Sequence, residues 1–320
     1  MRLDTFTRKL AESPHTVLIT GRTGTGKSYL ARAMHEASPR REGRFVTINL
    51  ATLSENLIES ELFGHEKGAF SGAETRRIGK LESANGGTAF LDEIGELSPR
   101  LQTKLLEALN SHVVSPVGSN REVELNLRVI AATNRDLRKM VSRGEFREDL
   151  YFRINTFQIE LPDLASLPAR IPELAATFAT AAAARQGKSY LGMSEEFLRE
   201  LGSFGWPGNV RELKNSLEFA IAMSPNGYLS PDCLPPYLRA GTAGKVGASE
   251  AGYRFPNDYR EAKSGFERSY LTEVLRRFEG RINQTAKESG LSKVTLIEKI
   301  RRYDIDVKRI KLEAYAKGTT

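Results

Sequence analysis

The stretch Val17-Leu-Ile-Thr20-Gly21-Arg-Thr-Gly-Thr-Gly26-Lys27-Ser28 decides how the first half of this chain is read. A short apolar strand runs into the spacing G-x-x-x-x-G-K-[ST], which in turn opens a helix; this is the structural context the motif requires. The glycines let backbone N–H groups turn inward around phosphate oxygens. Lys27 adds a point charge at the β- and γ-phosphates, and the Ser28 hydroxyl can ligate Mg²⁺. The helix N-terminus contributes its partial positive charge. The spacing makes Gly21, Arg22, Thr23, Gly24, Thr25, Gly26, Lys27, Ser28 and the adjoining Tyr29 candidate phosphate-site residues. A glycine-rich turn that binds nothing is the competing reading, and the strand–loop–helix order weighs against it.

Working outward, short β-branched or aromatic-rich runs at Thr16–Thr20, Phe45–Leu50, Thr88–Leu91 and Leu127–Ala131 read as buried strands. Helical stretches such as Ser28–Ala37 and Arg100–Leu109 lie between them, which predicts an α/β fold with a parallel sheet. Thr88-Ala-Phe-Leu91 delivers Asp92-Glu93 at its C-terminal end, the Walker B arrangement. Asp92 would hold Mg²⁺ through water and Glu93 would polarise an attacking water. An acid pair capping the next helix is the alternative, and it weakens beside the Gly21–Ser28 loop. After about Pro168 the pattern becomes helical, at Ile171–Gln186, Glu195–Ser203 and Val210–Met223. Residues 239–256 hold four glycines and read as a flexible linker, and helices return from Asp258 onward. The expected divisions are 1–165 for the α/β core, 166–238 for a helical unit, 239–256 for the linker and 257–320 for a C-terminal all-α domain.

The 320 residues carry 47 Lys+Arg and 40 Asp+Glu, a net charge of +7. Residues 241–320 hold +6 of it, which leaves +1 for the first 240. A basic tail on a near-neutral body suits a polyanion, though charge alone suits a solvated helical end equally well. With 40% hydrophobic residues the chain has enough apolar mass for real cores, which excludes disorder as an overall description. The single cysteine, Cys233, excludes an internal disulfide, and the four scattered histidines have no metal-ligand spacing. No apolar run reaches membrane-helix length and no signal peptide is visible, so the expected location is the cytoplasm, away from any membrane.

Longer motifs carry a resemblance. Glu59-Ser-Glu-Leu-Phe-Gly-His-Glu-Lys-Gly-Ala-Phe-Ser-Gly-Ala73 resembles the signature loop of bacterial sigma-54-dependent transcriptional activators, which are AAA+ ATPases. Gly86–Glu96, Arg128–Asn134, Phe146–Arg153 and Trp206-Pro-Gly-Asn-Val-Arg-Glu-Leu213 follow in the family's order. The resemblance covers residues 14–238, with a helix-turn-helix tail completing it, and implies an AAA+ core with a helical lid. It implies ATP and Mg²⁺ as cofactors, with Lys27, Asp92, Glu93 and Asn134 (sensor I) at the reacting phosphate and Ser28 and Asp92 at the metal. It makes Arg147 and Arg153 arginine fingers toward a neighbouring subunit, Arg211 sensor II in the lid, and Asn49 the switch that restrains Glu93. An isolated arginine reads more readily as a surface ion pair, and it is the matched motifs around Arg147, Arg153 and Arg211 that weigh toward function. The loop Gly68, Ala69, Phe70, Ser71, Gly72 and Ala73 would contact sigma-54 through an exposed Phe70; a Phe buried in a packed turn is the alternative.

Three departures stand out. Ser71 replaces the family's threonine, Ser28 replaces a common acid, and Leu161–Arg170 lacks the usual Arg-Glu-Arg while Pro168 and Pro172 alter the connection into the lid. About fifteen residues precede the first strand, which leaves regulation to a separate partner protein or to a sensory segment outside this sequence. At the other end, Asp258–Phe278 reads as a helix with Phe266, Tyr270, Val274 and Phe278 on one stripe. Asn283–Ser289, a Gly290-Leu291 turn and Ser292–Tyr303 (Ser292 a candidate N-cap) resemble a Fis-like helix-turn-helix. Ala286, Leu291, Leu296 and Ile300 would pack it, leaving Lys293, Thr295, Lys299, Arg301 and Arg302 for DNA; a helical hairpin with a charged face is the alternative. The expected activity is ATP-driven remodelling of promoter-bound sigma-54 RNA polymerase holoenzyme by a homo-oligomer, dimer to hexamer, bound to upstream, enhancer-like DNA. Two rivals are a DNA-binding regulator whose ATPase module is only a nucleotide-controlled oligomerisation switch, and a generic AAA+ remodeller.

Overall fold

A computed structural model of the chain describes residues 4–51, 55–70 and 73–239, and in the C-terminal part 271–272, 274–278, 280–288, 293–303, 305–307 and 310. The contacts divide the chain into two units, 1–244 and 245–320. In the first unit β1 (Val17–Thr20) and β2 (Phe45–Asn49) belong to the main sheet. The antiparallel pair β3 (Gly64–His65) and β4 (Arg77–Ile78) brackets the Gly68–Ala73 loop. β5 (Thr88–Asp92) returns to the main sheet, and β6 (Val113–Val114) with β7 (Val123–Glu124) forms a second small hairpin. β8 (Arg128–Thr133) and β9 (Phe157–Glu160) complete the sheet, whose order is β2-β5-β8-β1-β9 with every pairing parallel.

The pleat sorts the strand residues between two layers, because successive side chains point to opposite faces. Val17, Ile19, Phe90, Ile130 and Ala132 join the core under α1 (Thr5–Glu12) and α2 (Lys27–Glu36). Leu18, Ala89, Leu91, Val129 and Ala131 join the opposite core. That second core also takes up α3 (Glu55–Phe63), α4 (Lys80–Ser83), α5 (Pro99–Ser111), α6 (Leu137–Ser142) and α7 (Glu148–Ile154). Strands buried on both faces read as continuous apolar runs, and for that reason β1, β5 and β8 are legible in sequence. The expected strand Leu127–Ala131 runs instead from Arg128 to Thr133. β9 is a strand the sequence reading passed over. It lies at the sheet edge, and Phe-Gln-Ile-Glu alternates between half-buried and exposed side chains.

The charged N-terminal segment forms α1, capped by Asp4, whose carboxylate accepts from the Thr7 N–H at 2.7 Å. Arg128, at the start of β8, is buried and donates to the Leu10 and Ala11 carbonyls at the end of α1, both at 2.6 Å. Burial, together with the nearby Arg40, lowers its pKa to about 10.

The helical part of this unit comprises α8 (Ile171–Gln186), α9 (Glu195–Ser203) and α10 (Asn209–Met223), with β10 (Gly192–Met193) paired to β11 (Tyr228–Leu229). Its core runs from Leu164 through Trp206 to Leu238. Pro168 and Pro172 fall in the first turns of a short 3-10 segment and of α8, where a missing N–H costs no helical bond.

In the second unit α11 (Ile282–Glu288) and α12 (Lys293–Arg302) pack through Ala286 and Leu296, joined by Leu271, Leu275, Ile305 and Ile310, with Ile300 half-buried beside them. Leu291, the Gly290-Leu291 turn, Ser292, most of the linker, and the Asp258–Tyr270 part of the expected helix lie outside the described residues. Among the described residues no helix is long and apolar enough to cross a membrane.

Candidate nucleotide site

Three adjacent parallel strands deliver the site from their C-terminal ends. β1 feeds the phosphate loop, where Gly21, Gly24 and Gly26 take φ of 152°, 84° and 102°. Thr25 Oγ1 ties the loop by donating to the Arg22 carbonyl at 2.9 Å. Lys27 opens α2; its ammonium is buried and donates to the Gly21 carbonyl at 2.9 Å. Arg22 reaches outward to Asp163 at 3.2 Å, and Tyr29 is exposed on the first turn of α2.

β5 brings Asp92 to Ser28, with Oγ donating to Oδ2 at 3.3 Å. Burial, then the adjacent Glu93, push the Asp92 carboxyl above its ordinary value, against the opposing pull of Ser28 and Lys27. Glu93 has φ 58° and ψ 52°, a left-handed conformation costly for a side chain with a Cβ and of the kind stored at functional sites. The turn brings its carboxylate back over the loop, 3.8 Å from Lys27 Nζ, where Oε2 accepts from the Asn134 N–H at 3.2 Å. β8 supplies that Asn134, whose Nδ2 donates to Thr23 Oγ1 at 3.0 Å. Lys27, Ser28, Asp92, Glu93 and Asn134 therefore form one cluster. A hydroxyl beside a half-buried carboxylate suits a hard divalent cation that keeps waters and phosphate oxygens as its other ligands. No group of three His, Cys, Asp or Glu forms a self-sufficient metal site among the described residues.

Asn49 does not restrain Glu93 in this structure. It pairs in register with Asp92 at the end of β2, but its Oδ1 accepts from the Ala51 N–H at 2.9 Å, capping its own turn. Glu93 is held instead by Asn134 and Lys27. Arg147 forms a two-pronged pair with Asp149, at 3.0 and 2.8 Å, and Arg153 donates to Asn110 Oδ1 and the Leu109 carbonyl. Neither arginine bonds to the phosphate loop of its own chain.

The lid meets the loop closely. The Arg211 N–H donates to the Gly24 carbonyl at 3.3 Å while its side chain is exposed. A Cβ on Gly24 would lie 2.2 Å from the Gly208 carbonyl oxygen. Asn209 is the residue sequence reasoning passed over. It is buried at φ 51°, its Nδ2 donates to the Thr23 carbonyl at 3.2 Å, and its Oδ1 accepts from the Leu164 N–H at 2.9 Å. The available signal was Gly-Asn directly before a helix, since Asn tolerates left-handed backbone.

The Gly68–Ala73 loop is closed at its base by Gly68 N–H to the Ala73 carbonyl at 2.8 Å and Ala73 N–H to the Phe70 carbonyl at 3.0 Å. Ala69 is half-buried with its Cα 3.1 Å from the site a Gly118 Cβ would occupy. Phe70 is not the fully exposed tip expected. It is half-buried, its ring edge-on to His65 with centroids 5.0 Å apart. His65 is itself fixed: Nε2 donates to the Thr75 carbonyl at 2.9 Å, so Nδ1 accepts from Ser60 Oγ at 2.6 Å. Glu59 is buried and paired to Arg100 at 3.1 Å and to Lys104. Ser71 and Gly72 lie outside the described residues. On α12, Lys293, Arg301 and Arg302 are exposed, Thr295 and Lys299 half-buried, and Val294 exposed among them.

A parallel sheet of this order, a phosphate loop, strand-end acids and a helical lid define an AAA+ domain. Sequence comparison agrees: residues 2–160 match the sigma-54 interaction domain, 169–251 the AAA+ ATPase lid domain, and 265–303 the bacterial regulatory protein, Fis family. The chain belongs to the sigma-54-dependent transcriptional activators. Nitrogen fixation protein AnfA of Azotobacter vinelandii is 43% identical over 300 residues, covering 94% of this chain and 55% of that protein. Transcriptional regulatory protein GlrR of Escherichia coli is 39% identical over 311 residues, covering 97% and 68%. The chain thus spans little more than half to two thirds of these relatives' length. The crystal structure of NtrX from Brucella abortus in complex with ADP superposes with a TM-score of 0.68 at 30% identity, covering 94% of this chain and 67% of NtrX.

Proposed function

We propose that this chain binds ATP with Mg²⁺, hydrolyses it between neighbouring copies of itself, and uses the cycle to move the Gly68–Ala73 loop against sigma-54 polymerase while the C-terminal unit holds DNA. The observation that carries this reading is the convergence of Lys27, Asp92–Glu93 and Asn134 at one phosphate loop, in the same domain as the Phe70 loop. Lys27 and the α2 N-terminus bind phosphate. Ser28 and Asp92 would hold Mg²⁺, which would supply charge neutralisation to the bound phosphates. Glu93, turned back over the loop by its left-handed backbone, orients the attacking water, and Asn134 positions Glu93. Arg147 and Arg153, which make no bond to their own loop, act on the site of the next copy in a ring of dimers assembled into a hexamer. Arg211 reports the lid angle, and Asn49 takes up Glu93 in another nucleotide state. Lys293, Thr295, Lys299, Arg301 and Arg302 contact DNA from α12.

The test is reconstituted sigma-54 transcription with ATP. Phe70→Ala is expected to keep ATPase activity and lose promoter opening; full activation by that variant refutes the remodelling role. The half-burial of Phe70 on His65 favours one rival, a nucleotide-controlled oligomerisation switch that never offers the loop to polymerase. Binding of sigma-54 in the presence of an ATP transition-state mimic distinguishes the two, since only the remodeller captures it.

A further inference from the structure

The hydrogen bonds of the site do not end at the phosphate loop. Glu93 Oε2 accepts from the Asn134 N–H at 3.2 Å, and Asn134 Nδ2 donates to Thr23 Oγ1 at 3.0 Å. The Thr23 carbonyl accepts from Asn209 Nδ2 at 3.2 Å, and Asn209 Oδ1 accepts from the Leu164 N–H at 2.9 Å. Five separate stretches of chain are joined: the end of β5, the end of β8, the middle of the phosphate loop, the start of α10 and the segment at Leu164 that leads into the lid.

Two features make Asn209 more than a passive filler. Its carboxamide is buried, 1% exposed, and both polar atoms are used, one toward the loop and one toward the segment that enters the lid. Its backbone is held at φ 51° by its own N–H donating to the Trp206 carbonyl at 2.8 Å. A side chain fixed this way has little freedom to follow Thr23 unless the lid turns with it.

We propose that Thr23 and Asn209 form a relay that turns a change at the catalytic carboxylate into rotation of the lid, with Asn209 as its positioning residue. A phosphate entering the loop displaces Lys27 from the Gly21 carbonyl and Glu93 from its resting contacts. Asn134 then shifts its grip on Thr23, and the Thr23 carbonyl carries Asn209 and Leu164 with it. The path is independent of the Arg211 side chain, and it rests on the proposed reading only in requiring that ATP bind.

Trp206, the chain's single tryptophan, is buried in the lid core and bonded through its carbonyl to Asn209, so its fluorescence reports the hinge. The experiment titrates the whole chain with a non-hydrolysable ATP analogue, following binding by calorimetry and the hinge by Trp206 emission at saturation. Asn209→Asp puts a carboxylate oxygen against the Thr23 carbonyl while keeping an acceptor for Leu164. It is expected to bind the analogue within about threefold of wild type yet lose at least two thirds of the Trp206 response. Asn209→Gly, which keeps the left-handed backbone without strain, is expected to do the same, with circular dichroism and thermal melting confirming the fold. Adding Thr23→Val to Asn209→Asp is expected to cause no further loss of response, because a cut relay cannot be cut again. A full Trp206 response in either Asn209 variant, or losses that multiply in the double variant, overturns the relay. Wild-type binding without any Trp206 response overturns it too and leaves the ATP-driven reading standing. Wild-type protein that binds no ATP overturns both.

Discussion

Replacing Gly24 by alanine tests whether the lid rests on the phosphate loop. Gly24 has φ 84°, and its added Cβ would meet the Gly208 carbonyl oxygen at 2.2 Å, the Gly208 carbonyl carbon at 3.1 Å and Arg211 Cβ at 3.3 Å. Gly26 is the matched control: its φ is 102°, but a Cβ there meets nothing within 4 Å. Both substitutions carry the backbone strain of a left-handed non-glycine residue, about 1–3 kcal/mol. Only Gly24→Ala must also open a contact from 2.2 Å to beyond 3.0 Å against backbone that cannot rotate away. That opening separates the Arg211 N–H from the Gly24 carbonyl and the Asn209 carboxamide from the Thr23 carbonyl, each worth about 1 kcal/mol. Gly24→Ala is therefore expected to cost about 2 kcal/mol more than Gly26→Ala. In a unit of this size that is roughly 5 °C of extra loss in melting temperature. Thermal unfolding without nucleotide, followed by Trp206 emission and by circular dichroism, reads the difference. Equal melting temperatures for the two variants would refute the claim that lid and loop are in stabilising contact.

Two other perturbations act on buried or half-buried charged groups of the same unit. Burial and Glu93 raise the Asp92 carboxyl above 3.8, so the folded chain binds that proton more tightly than the unfolded one. Its contribution therefore favours folding at acid pH and is lost as pH rises through the folded value. Asp92→Asn is expected to flatten that part of the pH–stability profile and to raise the nucleotide-free melting temperature at neutral pH. An unchanged profile counts against the raised carboxyl. Arg128→Ala leaves the Leu10 and Ala11 carbonyls without their donor and a void beneath β8. A cost of about 2–4 kcal/mol and early proteolytic cutting within Thr5–Glu12 are expected; undiminished protection of that helix rules out the clasp.

Part of this protein is written in short-range patterns. The phosphate loop is legible because strand, glycines, lysine and helix lie within a dozen consecutive residues, and Asp92–Glu93 because an apolar run ends in acids. The packing of Ala286, Leu296 and Ile300 follows from helical spacing within some twenty residues. β9 was harder to see, since an edge strand with one open face lacks the continuous apolar run of its neighbours.

What tertiary structure alone decided lies in contacts between distant residues. Asn134 reaches Thr23 across 111 positions and Asn209 reaches it across 186, so no local rule ties any of the three together. Asn49 sits beside Asp92 by strand register, yet its Oδ1 turns back to accept from the Ala51 N–H, while Glu93 is bonded to the Asn134 N–H. Phe70 has the glycine-flanked look of an exposed tip, and only the closure of β3 on β4 brings His65 under its ring. Local sequence sets which backbone shapes and charges are available, whereas the sheet order sets which of them meet, because a hydrogen bond depends on a separation of about 3 Å in space and not on distance along the chain.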